Sequence, residues 1–249
     1  MLPPPGTRIV FLHAHPDDET LATGGLLAEL GARGYRTGVV TATRGEQGEV
    51  VPGPLSRLAG TPQLVAHREA ELAAALAELG VADHAFLGAP PARAAGLPPR
   101  RYTDSGMRWL DAEQTLAGPV EGSGPDSLAA APVAEPAADL AAFLEWSGAA
   151  ALVGYDAHGG YGHPDHVACH HVAVAAAALT GIPLLEVVSE PLLPRAGAQE
   201  FNLAEHLPAV RRALADYTSQ LTVDGDEVVH VGGQRQPILT TLWLVRAGT

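Results

Sequence analysis

Short, nearly unbroken apolar runs alternate along this chain with longer segments of helical periodicity, and that alternation restricts the fold more than any other feature. Residues 8–13, Arg-Ile-Val-Phe-Leu-His, form one such run, the pattern of a strand buried on both faces of a parallel sheet. A helix is expected over 19–33, a strand over 35–43, a strongly periodic helix over 61–79 and a strand over 81–87. The order resumes with a helix opening at Pro136, a strand over 149–155, a helix over 164–179 and a strand over 184–188. A helix over 207–217 and a strand over 238–245 complete it. Repeated β-α units require crossover helices on both faces, so the expected fold is α/β: a single Rossmann-like domain, 1–249, with a doubly wound, mostly parallel sheet flanked by helices.

A chain of 249 residues, 47% hydrophobic and 17% charged, can bury a full core without staples. Its one cysteine, Cys169, excludes an intrachain disulfide and any Cys-rich metal site, so a metal must be held by His, Asp or Glu. The net charge of −13 has the wrong sign for nucleic-acid phosphates or anionic lipid, and neither partner is expected. No basic stretch leads into an apolar run at the start, and the apolar stretch 172–185 is interrupted and too short for a membrane span, so a cytoplasmic location is expected. A homo-oligomer is compatible with the sequence. Residues 88–135 are rich in Pro, Gly and Ala without periodicity, and an insertion of this length reads as a lid over an active site.

Two polar clusters each follow a strand. In the first, His13-Ala-His15-Pro16-Asp17-Asp18-Glu19, Pro16 disfavours helical geometry at His15 and places Asp17 and Asp18 in a turn, where their carboxylates need not point the same way. One can hold a metal while the other faces water; alternatively either caps the next helix. In the second, Tyr161-Gly162-His163-Pro164-Asp165-His166, with His170 and His171 beyond, Pro164 fits the first position of a helix and His163 its mouth. His166 and His170 share a helical face at a common zinc-ligand spacing, so that pair competes with His166 alone or with His163. Arg68 falls on the same row as Leu64, Leu72 and Leu76, and either snorkels to the rim or reaches a substrate hydroxyl or carboxylate. Nucleotide-binding glycine loops and a G-x-S-x-G elbow are missing from the sequence.

His15-Pro-Asp-Asp-Glu19 and Gly162-His-Pro-Asp-His166, with Thr43 to Glu49, His67-Arg68-Glu69, Tyr102 to Met107 and Tyr155-Asp156, resemble the PIG-L/LmbE-type zinc-dependent N-acetylglucosaminyl deacetylases. The likeness is nearest to the bacterial branch acting on a precursor of a low-molecular-weight thiol. It implies a metal held by His15, Asp18 and His166, Zn2+ with Fe2+ as the alternative. It implies Asp17 as general base, a protonated His163 assisting opposite, Tyr161 polarising the amide carbonyl and Asp165 orienting His163. Glu49, Arg68, Asp104 and Met107 match sugar-contacting positions, whereas His158 and His170 match no role. Ala22 stands where the resemblance has a substrate-contacting serine, and the region between 188 and the last helix is short. The implied reaction is hydrolysis of the N-acetyl group of a small N-acetylglucosamine derivative of the inositol or malate type. An amidase of thiol S-conjugates, a deacetylase of another glycoside, and a non-catalytic metal- or sugar-binding module are the alternatives.

Overall fold

The computed structural model describes residues 2–113, 115–121, 123–189 and 196–248. The first half contains β1 (Arg8–His13), α1 (Asp18–Ala32), β2 (Arg36–Thr41), α2 (Pro62–Glu78) and β3 (Asp83–Phe86). The insertion holds a small antiparallel pair, β4 (Arg108–Trp109) and β5 (Ala117–Gly118). Then come α3 (Ala134–Ser147), β6 (Ala149–Tyr155), a kinked turn α4 (Gly159–Gly162), α5 (Pro164–Thr180), β7 (Leu184–Val187), β8 (Gln199–Asn202) and α6 (Leu207–Ala215). The chain closes with β9 (Leu221–Asp224), β10 (Glu227–His230), β11 (Arg235–Pro237) and β12 (Thr241–Arg246).

The main sheet has seven strands in the order β3-β2-β1-β6-β7-β12-β8. Strands β3, β2, β1, β6 and β7 are mutually parallel, while β12 runs antiparallel to both β7 and β8. The two faces of β1 explain the layers. Ile9 and Phe11 join a core with Leu26 and Leu30 of α1, Leu72 and Leu76 of α2, and Leu214 of α6. Val10 and Leu12 join the opposite core, with Leu140 and Phe143 of α3 and Val172 and Ala173 of α5. A strand apolar at every position is what a sheet covered on both faces requires. No helix among the described residues is long and apolar enough to cross a membrane.

The α/β order and the mostly parallel sheet are as the sequence implies, and the differences lie at the C-terminal edge. Strand β12 is antiparallel, because after α6 the chain makes the three-stranded sheet β11-β10-β9 instead of crossing back under the main sheet. That meander and β8 escape the periodicity reading, since their residues are mostly half-buried or exposed. A local signal was nonetheless present: β9 and β10 are joined by Gly225-Asp226, and Gly225 has φ +64, the left-handed geometry of a tight hairpin. The shortness noted after 188 falls partly on 190–195, outside the described residues.

The insertion has two parts, of which the first is tied to the body. Asp139 of α3, fully buried, accepts from Arg93 Nη1, Tyr102 Oη and the Ala94 N–H, each at 2.8 Å. Glu135 pairs with Arg93 and Arg100. These bonds fasten residues 93–102 to the body, and Tyr102 is completely buried. The β4–β5 hairpin has Leu110 and Leu116 exposed. Its approach is close: a Cβ at Gly162, which has φ +85, would lie 3.1 Å from the Ala117 carbonyl oxygen and from Leu116 Cδ1.

His84 of β3 gives a prediction about stability. Burial, with Arg44 nearby, lowers its pKa from 6.5 to about 4, and its Nε2 lies 3.1 Å from Thr41 Oγ1. The folded state therefore holds fewer protons at this ring than the unfolded chain between pH 6.5 and 4. Stability from this source is fully present above pH 6.5 and is lost as pH falls toward 4. His84→Gln is expected to reduce the acid-induced loss by on the order of 1–3 kcal/mol, read as a smaller drop in denaturant midpoint between pH 7 and pH 4.5.

Candidate active site

The strand order reverses between β1 and β6, the place where an open α/β sheet leaves a crevice beyond its carboxyl ends. Both polar clusters emerge there. The Ala14 N–H donates to Tyr155 Oη at 3.2 Å and ties the two strand ends together. Tyr155 in turn stacks on His166, with ring centroids 4.4 Å apart.

Asp17 is the only non-glycine residue among the described residues with positive φ, at 113°. Such a conformation costs about 1–3 kcal/mol and persists only where surrounding contacts impose it. It holds the N-cap position of α1 but makes no capping bond with its side chain, so capping does not account for it. Burial, then the neighbouring carboxylates of Asp18 and Glu19, raise its pKa well above the ordinary carboxylate range. Glu19 is itself buried, accepting from Thr20 Oγ1 and Tyr217 Oη and, at 3.2 Å, from the Asp17 N–H.

Asp18 Oδ2 lies 3.2 Å from both His15 Nδ1 and His166 Nε2 and accepts from the His15 N–H at 2.9 Å. Burial alone would raise the Asp18 pKa; His166 and His15 overcome it and hold the pKa well below normal. His166 Nδ1 donates to the Gly159 carbonyl at 3.2 Å, which leaves Nε2 with a lone pair directed at the Asp18 oxygen. That Nε2 is buried and has no hydrogen-bond partner. A ring nitrogen and a carboxylate oxygen at this distance share either a proton or a cation. The ring nitrogens of His15, His163 and His166 also lie within 4.8 Å of one another. Donors of this type, two imidazoles and one carboxylate with a third imidazole adjacent, suit a divalent transition metal and leave a position for water or substrate.

His163 differs from the sequence expectation. Its Nδ1 accepts the Asp165 N–H at 3.1 Å, and burial, followed by His15 and His166, pushes its pKa far down. The ring is therefore neutral rather than protonated, and offers an N–H from Nε2. The Asp165 carboxylate does not orient it either. Fully buried, that carboxylate accepts from His15 Nε2 at 3.1 Å and from the main chain and hydroxyl of Ser105. Only the main-chain N–H of Asp165 reaches His163, because Asp165 lies one residue beyond Pro164 in the first turn of α5.

Tyr161 is exposed beside the imidazoles, 5.1 Å from the His166 ring and 5.7 Å from Trp109. Burial, then Asp18, raises its pKa, so the phenol keeps its proton. Asp104 is buried, with Oδ1 3.6 Å from His15 Nε2, and accepts from the Gly106 and Gln47 N–H groups. Met107 is half-buried and Glu49 exposed. His170 stands apart: its Nδ1 is 3.1 Å from the Tyr155 carbonyl and 3.6 Å from Glu186, behind the cluster. His158 bonds the Gly160 carbonyl within its own turn.

Arg68 neither snorkels nor reaches the cleft with both terminal nitrogens. It is 2% exposed and donates to the Gly45 carbonyl and, at 2.8 Å, to the Glu49 carbonyl. It thus fixes the loop that carries Glu49. Arg68→Met should remove the Glu49 carbonyl's partner and leave the Gly45 carbonyl only its bond from the Gly48 N–H, costing about 1–3 kcal/mol in all, and raise KM more than it lowers kcat. Thermal melts and steady-state kinetics on the same preparation check both effects. Ser105 and Asp139 escape the sequence reading, which includes Glu19 in the first motif but gives it no role. Ser105 lay inside the Tyr102–Met107 stretch already singled out, but nothing local marks its partner, Asp165.

A family model described as PIG-L, GlcNAc-PI de-N-acetylase, matches residues 10–177. The chain is 35% identical over 269 aligned residues to a 1D-myo-inositol 2-acetamido-2-deoxy-alpha-D-glucopyranoside deacetylase of Actinosynnema mirum, covering 93% of this chain and 89% of that protein. A protein of the same name from Kineococcus radiotolerans is 44% identical over 172 residues, covering 69% of this chain but 45% of its own length. The chain thus spans about half the length of several relatives it matches. A deacetylase crystallised with teicoplanin, from the teicoplanin biosynthesis pathway, shares the fold, with a TM-score of 0.63 over 98% of this chain and 100% of that one at 22% identity.

Proposed function

Because the chain belongs to the PIG-L family of GlcNAc-PI de-N-acetylases, we propose that it is a metal-dependent N-deacetylase acting on a small N-acetylglucosamine derivative, with N-acetylglucosaminyl-inositol as the leading substrate. The observation that carries this reading is Asp17: a strained, uncapped carboxylate with a raised pKa, adjacent in sequence to the Asp18 that joins His15 and His166. The inositol conjugate is favoured by the names of relatives at 35% and 44% identity. Zn2+ is the proposed ion and Fe2+ the alternative. Residues 1–249 are taken as one deacetylase domain working in the cytoplasm, with the β4–β5 hairpin as its cover.

A divalent ion held by His15, Asp18 and His166 supplies Lewis acidity for the amide carbonyl and acidifies the attacking water. The chain does the rest. Asp17 accepts the proton of the water as its oxygen bonds to the acetyl carbon. Its raised pKa lets the acid form persist until the C–N bond breaks, when the proton passes to the departing nitrogen and yields acetate and a free amine. The neutral His163 donates from Nε2, and the Tyr161 hydroxyl donates as well, to the carbonyl oxygen as negative charge gathers on it. Asp104, Glu49, Met107 and the loop held by Arg68 line the side on which the sugar is placed.

The test is amine release by the metal-loaded protein from N-acetylglucosamine, its inositol conjugate, its malate conjugate and a thiol S-conjugate amide. A preference of at least tenfold in kcat/KM for the inositol conjugate is expected. Preference for the malate conjugate or the amide, or binding without release from any, overturns the substrate assignment.

A further inference from the structure

Resting on the metal-site reading above, we infer that Ser105 is a positioning residue: by clamping Asp165 it fixes His15 so that Nε2 bears the hydrogen and Nδ1 is the nitrogen presented beside Asp18. His15 has two faces and the structure offers partners to both. On the Nδ1 side stands Asp18 Oδ2 at 3.2 Å, with His166 beyond it. On the Nε2 side stand Asp165 Oδ2 at 3.1 Å and Asp104 Oδ1 at 3.6 Å. His15, Asp104 and Asp165 are close enough to form a second metal-ligand group, within 4.8 Å of one another. The two groups compete for one imidazole, and sequence gives no means of choosing.

Ser105 decides between them. Its N–H donates to Asp165 Oδ2 at 2.8 Å and its hydroxyl donates to Oδ1 at 2.5 Å. Both oxygens of this fully buried carboxylate therefore carry a hydrogen bond before His15 adds its own. Asp104 is engaged too, by Gly106 N–H at 2.8 Å and Gln47 N–H at 3.2 Å. A carboxylate so held serves as a hydrogen-bond acceptor for an imidazole N–H, the arrangement that orients a metal-binding histidine and raises its basicity. Ser105 is anchored in its own right. It is 3% exposed, its hydroxyl oxygen accepts the Ala129 N–H at 3.0 Å, and its carbonyl accepts Ser123 Oγ at 2.7 Å. The insertion thereby sets the tautomer of a residue that follows β1.

Three measurements test this. In Ser105→Ala and Asp165→Asn, Zn2+ affinity by chelator competition is expected to fall roughly 10–100-fold. In the metal-free wild type, proton NMR is expected to show a downfield His15 Nε2–H resonance that disappears in both variants. Long-range 1H–15N spectra of the metal-loaded wild type should place the hydrogen on Nε2. The inference is overturned if Ser105→Ala lowers the melting temperature but binds Zn2+ within twofold of wild type, or if His15 carries its hydrogen on Nδ1. Should Ser105→Ala fail to fold, Asp165→Asn and the wild-type tautomer decide. A wild type that shows the Nε2–H resonance yet binds no metal keeps the clamp and removes the metal reading.

Discussion

Asp17→Asn is expected to lower kcat for acetate release by roughly 10²–10⁴-fold, the range spanned by loss of a general base, with metal content unchanged. The reason is geometric as well as chemical. Asp17 makes no capping bond, so replacing its carboxylate removes nothing that holds α1. Asparagine tolerates positive φ better than most residues, and the exchange relieves the repulsion between the Asp17 carboxylate and those of Asp18 and Glu19. Melting temperature should therefore stay level or rise while turnover collapses, the signature of a strained residue kept for function. Turnover in Asp17→Asn within tenfold of wild type would remove Asp17 from the base role. A fall in metal content would make it a ligand instead.

The second large effect is expected at Asp18. Its Oδ2 accepts the His15 N–H and lies 3.2 Å from both His15 Nδ1 and His166 Nε2, so Asp18→Ala removes the oxygen on which the two imidazoles converge. Bound metal should be lost on gel filtration and turnover should fall on the order of 10³-fold or more, because acidification of the attacking water is lost with the ion. Unlike Asp17→Asn, this variant should regain part of its activity in excess Zn2+, since His15, His163 and His166 still converge. A variant that retained one tightly bound ion would displace Asp18 from the metal set. The two substitutions, at adjacent residues, thus separate the base from the ligand.

The sequence carried most of the fold because β1, β2, β6 and the helices around them owe their form to local apolar patterns. Ile9, Val10, Phe11 and Leu12 are all completely buried, as an unbroken apolar strand implies. The two polar clusters could be placed for a related reason: His15, Asp17, Asp18, His163 and His166 all follow the carboxyl ends of neighbouring strands, and the alternation fixes where those ends lie. What could not be read is long-range. The choice of His163 and His166 over His170 rests on His170 turning toward Tyr155 and Glu186. The neutral state of His163 depends on which other imidazoles are buried with it. Asp165 finds His15 across 150 residues and Ser105 across 60, distances at which no spacing rule operates. The β9–β10–β11 meander was missed for want of apolar density, although its Gly225 turn was visible.

The most direct test of the account is titration of the metal-stripped protein with Zn2+ while acetate and free amine are counted from the inositol conjugate. One equivalent of bound ion should restore full turnover with acetate and amine released in equal amounts, and the same equivalent should bind Asp17→Asn without turnover. Release from the metal-free protein, or no release with one ion bound to the wild type, would contradict it.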